Sequence, residues 1–269
     1  YEWALYILYI YIYIMKIVKN NCSFLISENE PYSMEWFSNN KLDNWEQDTF
    51  RIFEHYKNDK GIYIDIGAWI GPTVLYCANI YKKVIALEPD PVAFSRITKN
   101  ISANSFNNIV LIEKGLSSEN GITQFGGNGD LGNSESTLLI ANKEEYLSYE
   151  GRHTNKHSHN QIVEIETITI EKLIEQQNID PQNISLIKMD IEGGEKIVVP
   201  SLVNFLNTYN PIFYISLHRC FLKESDIEHI IDILFNIYDK CYYFTNNGVK
   251  ELVDKNYIQT NKLCSLVFE

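Results

Sequence analysis

The sequence predicts an α/β protein with a mostly parallel sheet, and two features carry that prediction. From Gly61 onward, apolar runs rich in Ile and Val alternate with helical stretches, and this order is typical of parallel strands joined by right-handed crossovers. The second feature lies in residues 62–73, where a β-branched run is followed by Gly67, by Gly71 and by the start of a helix. Because such strand–glycine–helix junctions hold nucleotide-type cofactors, we expect a cofactor site here.

The predicted elements of this region follow one another with short connections. The run 62–66 forms the first strand, and Pro72 suits the first turn of helix 73–81, because its missing N–H is not needed there. Thr169 can cap helix 171–177. The other predicted strands are 83–87, 109–113, 162–168, 185–189, 212–217, 240–244 and 262–268, and the other helices are 92–104, 224–237 and 196–207, the last interrupted or started near Pro200.

Two larger regions are expected along the chain. Residues 61–269 form the main domain, with a loop insertion at about 120–160, and residues 16–60 form an N-terminal cap segment. Within the cap segment, a strand is expected at 22–26 and a helix at 43–56. Because no motif occurs in the cap segment or in the insertion, we expect these two parts to set the substrate.

The apolar, Tyr-rich stretch 1–15 precedes the cap segment. It is too short for a spanning helix, which needs about 20 residues, and it lacks the flanks of a signal peptide. Two interpretations stay open. Residues 1–14 are not native, with Met15 as the natural start, or they associate with a membrane.

Charge and cysteine content exclude several classes of function. A net charge of −12 without a basic run argues against a nucleic-acid partner, because phosphate binding needs clustered Lys and Arg. The five cysteines include no CxxC pair, so neither a disulfide framework nor a zinc knuckle is expected. The chain is expected in a reducing, cytoplasmic compartment. Buried free thiols are expected at four cysteines in or beside apolar segments, which are Cys77, Cys220, Cys241 and Cys264.

Three histidines, His153, His157 and His159, fall in the polar stretch 152–160. A solvated loop is the expected interpretation, since no Cys or Asp joins them at the spacing of a metal site. A metal site and a loop that faces the substrate stay open as alternatives.

Acidic residues, glycines and a histidine follow five of the predicted strands. Because ligands of an open α/β sheet bind at the carboxyl ends of its strands, we expect these residues to meet at one edge of the sheet. They are Asp65 and Gly67, Glu88 and Asp90, residues 115–117, Asp190 and Glu192, and His218.

Glu88 and the glycine pattern narrow the choice of cofactor. Glu88 ends the second strand 21 positions after Gly67, which suits an acid that binds a ribose diol. NAD and S-adenosylmethionine both carry such a ribose. The chain has G-x-x-x-G and lacks the G-x-G-x-x-G that brings a pyrophosphate close to the backbone. Asp65 before the turn would repel a pyrophosphate but suits a sulfonium and its amino group. These residues favour S-adenosylmethionine, with NAD as the alternative.

Four stretches of the sequence resemble the FkbM family of S-adenosylmethionine-dependent methyltransferases. They are YIDIGAWIG at 63–71, VIALEPDP at 84–91, LIKMDIEGGE at 186–195 and, more weakly, PIFYISLH at 211–218. Their order and spacing are those of the family over about residues 45–245. The resemblance implies a Rossmann-like seven-stranded methyltransferase fold, with helices on both faces of a mostly parallel sheet and an antiparallel last strand. It also implies O-methylation of a hydroxyl on a saccharide or a related small natural product.

The cofactor roles expected for this site follow the parts of S-adenosylmethionine. Asp65 and the turn 67–71 should hold the methionine part, Glu88 the ribose hydroxyls, and Leu116 with Ser117 the adenine. The full set of expected cofactor-binding residues is Asp65, Gly67, Ala68, Trp69, Gly71, Thr73, Glu88, Pro89, Asp90, Leu116, Ser117 and Asp190.

Methyl transfer is an in-line displacement, so the enzyme mainly aligns the hydroxyl with the methyl group. A base that removes the hydroxyl proton helps, and Asp190 and Glu192, then His218, are the candidates. These acids also have interpretations without catalysis. Asp190 can serve solely to bind the cofactor's amino group, and Glu192 and Glu195 can cap the following helix. Asp190 and Glu192 could also bind a divalent cation. Two carboxylates do not establish a metal site, and none is predicted.

Two positions depart from the family pattern. The family usually has Asn or His where Trp69 stands, which could alter how the methionine end is held. It often has Glu where Ser216 stands, and without that acid the catalytic role of His218 is weaker. A module that binds the cofactor without turnover is therefore the alternative to an enzyme.

Overall fold

Strands and helices alternate around one large sheet. A computed structural model describes residues 15–39, 45–127, 130–141, 161–245 and 247–269. The strands are β1 (Met15–Lys19), β2 (Cys22–Ile26), β3 (Asn58–Ile66), β4 (Tyr81–Leu87), β5 (Ile109–Ile112), β6 (Gly115–Leu116), β7 (Gly121–Gly126), β8 (Ile162–Ile168), β9 (Ile184–Met189), β10 (Ile212–Ser216), β11 (Cys241–Phe244), β12 (Lys250–Val253) and β13 (Ser265–Phe268). The helices are α1 (Pro31–Ser38), α2 (Gln47–Tyr56), α3 (Pro72–Cys77), α4 (Pro91–Ser102), α5 (Ile170–Gln176), α6 (Glu195–Ser201), α7 (Val203–Tyr209), α8 (Glu224–Ile237) and α9 (Lys255–Thr260), with short 3-10 helices at Leu138–Ala141 and Pro181–Asn183.

The large sheet has the order β12-β11-β13-β10-β9-β3-β4-β5 within the described ranges. β3 lies between β4 and β9, and both neighbours run parallel to it. β10 continues the parallel part beyond β9. β13, the last strand, runs antiparallel to both β10 and β11. The predicted mostly parallel sheet with an antiparallel last strand is therefore confirmed.

An eighth strand, β12, extends the predicted seven-stranded sheet. It pairs antiparallel with β11 at the edge of the sheet. Its sequence, KELV, has only two apolar residues, and Leu252 is exposed. Because an edge strand this short needs no alternating apolar pattern, the sequence carries little signal for it.

Helices cover both faces of the large sheet, as predicted. Side chains alternate between the faces along a strand, so Ile62, Ile64 and Ile66 of β3 pack in one core and Tyr63 packs in the other. The first core includes α5 to α8, and the second includes α1 to α4. The buried parallel strands thereby present their carboxyl ends together, at the edge where the predicted site lies.

The N-terminal part of the chain packs against the second core. β1 and β2 form an antiparallel hairpin, which confirms the predicted strand 22–26 and adds β1 to it. α1 is a further addition, and the predicted helix 43–56 is observed as α2. The described ranges do not include residues 1–14 or 40–44. Both interpretations of the apolar stretch concern residues 1–14 and so stay untested. The division into a cap segment and a main domain stays a prediction.

The predicted loop insertion at about 120–160 contains a strand. β7 pairs antiparallel with β8, and β6 pairs parallel with β8, which makes a separate three-stranded sheet. The predicted strand 162–168 is confirmed, although it lies outside the large sheet. The sequence does not predict β7, because Ile122 and Phe125 are its only large apolar residues. His153, His157 and His159 lie outside the described ranges.

Two predicted helices have different bounds in the structure. Helix 73–81 ends at Cys77, because Tyr81 is buried as the first residue of β4. Helix 196–207 is divided into α6 and α7, which meet at Leu202, just after Pro200. Proline has no N–H to donate, which weakens a helix at this point.

The expectation of buried thiols is wrong for two cysteines. Cys77 and Cys241 are buried, but Cys220 and Cys264 are exposed. Both exposed thiols lie in loops, one after β10 and the other just before β13, where neighbouring apolar residues turn inward. No helix in the described part of the chain combines the length and apolar character needed to cross a membrane.

Candidate functional site

Two adjoining clefts open at the carboxyl ends of the parallel strands. The first is an open cleft of about 550 Å³ beside β3, β4 and β9. The second, of about 630 Å³, extends from the same edge toward the cap segment. Five residues line both clefts and form the border between them, namely Gly67, Trp69, Ser134, Asp190 and Glu192.

The turn after β3 requires its first glycine. Gly67 has a φ of +88°, and a Cβ there would lie 1.9 Å from the Asp190 carbonyl oxygen. The N–H groups of Gly67 and Ala68 both donate to the Leu87 carbonyl, at 3.1 Å each. The turn is thus held between the ends of β4 and β9, and Ala68 faces the second cleft. Gly71 has a φ of +91° and lines neither cleft, so it shapes the start of α3.

Asp65 lies beneath this turn and lines neither cleft. Its side chain is fully buried, and it accepts hydrogen bonds from Thr73 Oγ1 at 2.6 Å and from Lys188 Nζ at 3.2 Å. Thr73 itself lines the second cleft. Both oxygens of Asp65 are therefore engaged, and its effect on a ligand would pass through Thr73 and Lys188.

Glu88 lies in the wall of the first cleft and is almost completely buried. Its Oε2 accepts a hydrogen bond from the backbone N–H of Trp69 at 2.6 Å, and its Oε1 accepts one from Asp90 N–H at 2.8 Å. Burial raises the pKa of Glu88 to about 8, against the opposing effect of these two hydrogen bonds. The carboxylate is thus fixed in orientation at the end of β4.

Asp90 connects α4 to residues 130–136, which we call the strap. Its Oδ1 accepts hydrogen bonds from two N–H groups of the first turn of α4, so Asp90 is the N-cap. Its Oδ2 accepts from Gly132 N–H at 2.7 Å. The Gly132 carbonyl accepts from Trp69 Nε1 at 3.1 Å and from Arg96 at 2.6 Å. The strap thereby lies along the first cleft, to which Asn133, Ser134 and Ser136 contribute.

Apolar residues line the part of the first cleft near β6. Pro89 and Leu116 lie in its wall, together with Phe125 and Leu138 of the insertion. Ser117 lies outside both clefts, because its N–H donates to the Ile168 carbonyl in the small sheet. Of the two residues expected to flank an adenine, the structure brings only Leu116 to the cleft.

Three carboxylates surround His218 at the border of the clefts. Its Nδ1 lies 2.8 Å from Glu195 Oε1, and its Nε2 lies 3.2 Å from Asp190 and 3.4 Å from Glu192. Burial alone lowers the pKa of His218, but the charge of Glu195 and the hydrogen bond with Asp190 raise it well above its usual range. At neutral pH the imidazole is therefore protonated, and both of its nitrogens donate.

The two acids at the end of β9 have opposite pKa shifts. Burial raises the pKa of Asp190, but the charge of Lys188, whose Nζ lies 3.2 Å away, and the hydrogen bond from His218 hold it below its usual range. Burial raises the pKa of Glu192 to about 8, and the charge of Asp190 adds to this shift while that of His218 opposes it. Of the two predicted carboxylate bases, Glu192 therefore has the pKa closer to neutral pH.

The same three residues have the spacing of a cation site. One ligand atom each from Asp190, Glu192 and His218 lies within 4.8 Å of the others. A histidine must be neutral to bind a metal, whereas His218 is held protonated by its carboxylate partners. Lys188 also occupies one oxygen of Asp190. The chemistry of this set therefore fits an ion-pair network better than a metal centre.

Several residues of the site are additions to the predicted set. The second cleft is lined by Trp36, Trp45 and Glu46 from the cap segment, which carries no motif. Lys188 could have been found, because a lysine inside the apolar run of β9 must be buried with an acid. Glu195 supplies the acid partner that Ser216 cannot give to His218, and it also accepts from Ile191 N–H, as a helix cap would.

A family model described as the methyltransferase FkbM domain matches residues 65–244, which is more than half of the chain. No curated protein matches the sequence.

Among solved structures, the fold is similar to a methyltransferase FkbM from Methylobacillus flagellatus KT, with 15% identity and a TM-score of 0.46 over 78% of this chain and 44% of that one. It is also similar to a precorrin-6y C5,15-methyltransferase from Geobacter metallireducens GS-15, with 10% identity and a TM-score of 0.41 over 83% of this chain and 88% of that one. A shorter match is to M. jannaschii TYW2 in complex with AdoMet, with 21% identity and a TM-score of 0.26 over 37% of this chain and 42% of that one. At such low TM-scores these similarities add nothing to what the family match shows. The chain spans less than half the length of the FkbM protein from M. flagellatus.

Proposed function

The chain belongs to the FkbM methyltransferase family, whose cofactor is S-adenosylmethionine, and we propose that it methylates a hydroxyl group of a saccharide or of another small natural product. The observation that carries the proposal is the border between the two clefts. There, Glu192 faces both the cleft suited to the cofactor and the cleft open to an acceptor.

The residues of the first cleft fit S-adenosylmethionine in their chemistry. Glu88 would accept the ribose hydroxyls, and Pro89, Leu116 and Phe125 would flank the adenine. The backbone of Gly67, which lines both clefts, would receive the methionine part. Gly67 and Trp69 continue into the second cleft together with Ala68 and Thr73, so the methionine part would lie along the border. Asp90 supports this cleft by holding the strap.

Glu192 is the proposed catalytic base. Bound S-adenosylmethionine supplies an electrophilic methyl group on a positively charged sulfur. A hydroxyl of the acceptor, lying at the border of the clefts, would donate its proton to Glu192, and a base with a pKa of about 8 accepts protons well near neutral pH. Asp190 is the weaker candidate, because Lys188 and His218 stabilise its charged form.

His218 is proposed to position the two acids. Protonated His218 donates through Nε2 toward Asp190 and Glu192, while Glu195 fixes the ring from the other side at Nδ1. The positive charge would stabilise Glu192 as the carboxylate that is ready to accept a proton. Once Glu192 is protonated, the remaining charge of Asp190 keeps the imidazolium balanced.

Trp69 supports an active enzyme over a binding module without turnover. Its indole N–H is anchored on the strap at Gly132, and its ring packs edge-on against Trp36, with 5.2 Å between the ring centroids. The side chain thus forms part of the wall shared by the clefts, and both clefts stay open beside it.

The test combines binding and turnover on the full chain. Calorimetry should show binding of S-adenosylhomocysteine and none of NAD. Incubation of S-adenosylmethionine with a panel of saccharides and hydroxylated natural products should release S-adenosylhomocysteine and yield an O-methyl product by mass spectrometry. Binding of NAD alone would overturn the methyltransferase proposal. Cofactor binding with methylation confined to nitrogen or carbon acceptors would overturn the O-methylation proposal.

A further inference from the structure

Three of the four tryptophans of the chain line the second cleft. The ring of Trp36 lies 5.2 Å from that of Trp45 and 5.2 Å from that of Trp69, and it is perpendicular to each within 10°. Such edge-to-face packing fixes the indoles relative to one another. The cleft therefore presents a rigid aromatic wall, and the faces of indole rings attract cations.

Glu46 lies beside this wall and lines the same cleft. It follows Trp45, and its backbone has a left-handed φ of 39°. Its Oε2 accepts a hydrogen bond from Thr49 at 3.1 Å, and Thr49 is in turn 2.6 Å from the Tyr214 hydroxyl. Within the described ranges, no Lys, Arg or His forms an ion pair with Glu46. The hydrogen bonds thus orient the carboxylate without balancing its charge.

Carboxylates outnumber cations around the second cleft. The lining holds three carboxylates and two cations, which are Glu46, Asp190, Glu192, Lys188 and His218. Two further acids, Asp65 and Glu195, pair with the same two cations from behind. S-adenosylmethionine carries a net charge of only one, because its sulfonium and ammonium charges are offset by one carboxylate. If every one of these acids were ionised, five carboxylates would face two cations, and the single positive charge of the cofactor would balance only one of the three left over.

Burial disfavours the charged form of Glu46. Burial raises the pKa of Glu46 to about 8, and the nearby charge of Asp190 adds to the shift, while Lys188 opposes it. A positive group beside Glu46 would remove that penalty. A neutral ligand would leave it in place.

From the indole wall and the carboxylate beside it, we infer that the methyl acceptor is a hydroxylated compound that carries an ammonium group, which is bound between Glu46, Trp36 and Trp45. Examples of the class are amino sugars and amino alcohols. The inference rests on the proposed function, since it names the acceptor of the same site. Glu46 binds the ammonium group, and Glu192, across the cleft border, receives the hydroxyl.

Two probes of equal shape test the inference. Choline and 3,3-dimethyl-1-butanol both carry a hydroxyl and a branched end group, and they differ in the positive charge. Each is titrated into the full chain saturated with S-adenosylhomocysteine, and tryptophan fluorescence reports binding, because three of the four tryptophans line the cleft. We expect choline to bind about tenfold more tightly than the neutral alcohol, as a cation does beside aromatic rings and a carboxylate.

Glu46→Gln should reduce this preference to within about twofold, because one point charge has been removed. Glu35→Gln, an exposed acid of α1, removes the same charge outside the cleft and should keep the full preference. Glu46→Asp retains the charge and should keep a measurable preference.

Equal binding of the two probes, binding of neither, or an unchanged preference in Glu46→Gln would overturn the inference. A loss of S-adenosylhomocysteine affinity in Glu46→Gln would also overturn it, because Glu46 would then serve the cofactor. Failure of the unmutated chain to bind S-adenosylhomocysteine is a separate result, which counts against the proposed function itself.

Discussion

The two clefts share a border but are built in different ways. The first cleft is built around residues that directly follow parallel strands, such as Gly67 after β3 and Glu88 after β4, and the insertion closes it. The second cleft takes Trp36, Trp45 and Glu46 from a segment far from those strands in sequence. We therefore propose that the fold supplies the cofactor side of the site and that the cap segment, which the same sheet could carry in many forms, sets the acceptor side.

The largest loss of turnover is expected from a substitution at the border between the two clefts. Glu192→Gln removes the proposed base but keeps the size of the side chain. Turnover should fall by about 10²- to 10⁴-fold, the usual contribution of general base catalysis. Affinity for S-adenosylhomocysteine should change by less than about threefold, because the cofactor presents no proton to this group.

Release of S-adenosylhomocysteine under saturating substrates measures the first quantity, and calorimetry measures the second. Glu228→Gln is a suitable control, because Glu228 is an exposed acid of α8 that lines neither cleft. A Glu192→Gln enzyme with full turnover would remove Glu192 from the role of base.

Glu88→Ala tests the first cleft alone. The loss of hydrogen bonds to both ribose hydroxyls should weaken S-adenosylhomocysteine binding by about 5- to 100-fold, since each such bond contributes about 0.5–1.5 kcal/mol. Glu113→Ala removes an exposed acid just after β5, the next strand of the sheet, and should leave the affinity unchanged. Since Glu88 also accepts from two backbone N–H groups, thermal unfolding must show that the variant is folded. Unchanged affinity in a folded variant would exclude the ribose role.

The pH dependence of turnover distinguishes Glu192 from the other bases. Glu192 accepts a proton only as a carboxylate, and its pKa is raised to about 8 by burial. The rate at saturating cofactor and acceptor should therefore rise as pH increases toward 8, by about tenfold per pH unit well below the pKa, and then level off. Glu46→Gln should keep this rise, although Glu46 has a similar pKa. A flat profile between pH 6 and about 8 would instead favour Asp190, whose pKa is lowered.

The smallest change in cofactor affinity is expected from a substitution of Ser117. This substitution tests how far the first cleft extends along β6. The sequence pattern places Ser117 beside the adenine, but in the structure it lies outside both clefts. Ser117→Ala should leave S-adenosylhomocysteine affinity within about twofold, because surface substitutions usually change free energies by no more than about 0.5 kcal/mol. A tenfold loss by calorimetry would show that the adenine extends further along β6.

The parts of the fold that the sequence predicts are those with dense local signals. The strands β3, β4 and β9 are rich in buried apolar residues, and the residues after them repeat the family's motifs. β12 and β7 are short and half exposed, so their pairing depends on the rest of the sheet. Local pattern cannot specify an edge strand whose stability comes from a neighbour.

The residues of the candidate site likewise include some that the sequence predicts and some that only the structure shows. Glu88, Asp190 and Glu192 stand directly after strands, and the structure brings them to the clefts. Asp65 also follows the pattern, yet its carboxylate is turned inward to Thr73 and Lys188, a choice made by tertiary packing. Glu46 has no motif around it, and only the folded chain shows that it meets the sheet edge.

A crystal structure of the chain with S-adenosylhomocysteine tests most directly whether the first cleft binds the cofactor and the second is left for the acceptor. We expect the adenine beside Leu116, the ribose hydroxyls on Glu88, and the sulfur at the border between Trp69 and Glu192, facing an open second cleft. A ribose away from Glu88, or an adenosine group seated against Trp36 and Trp45, would contradict it.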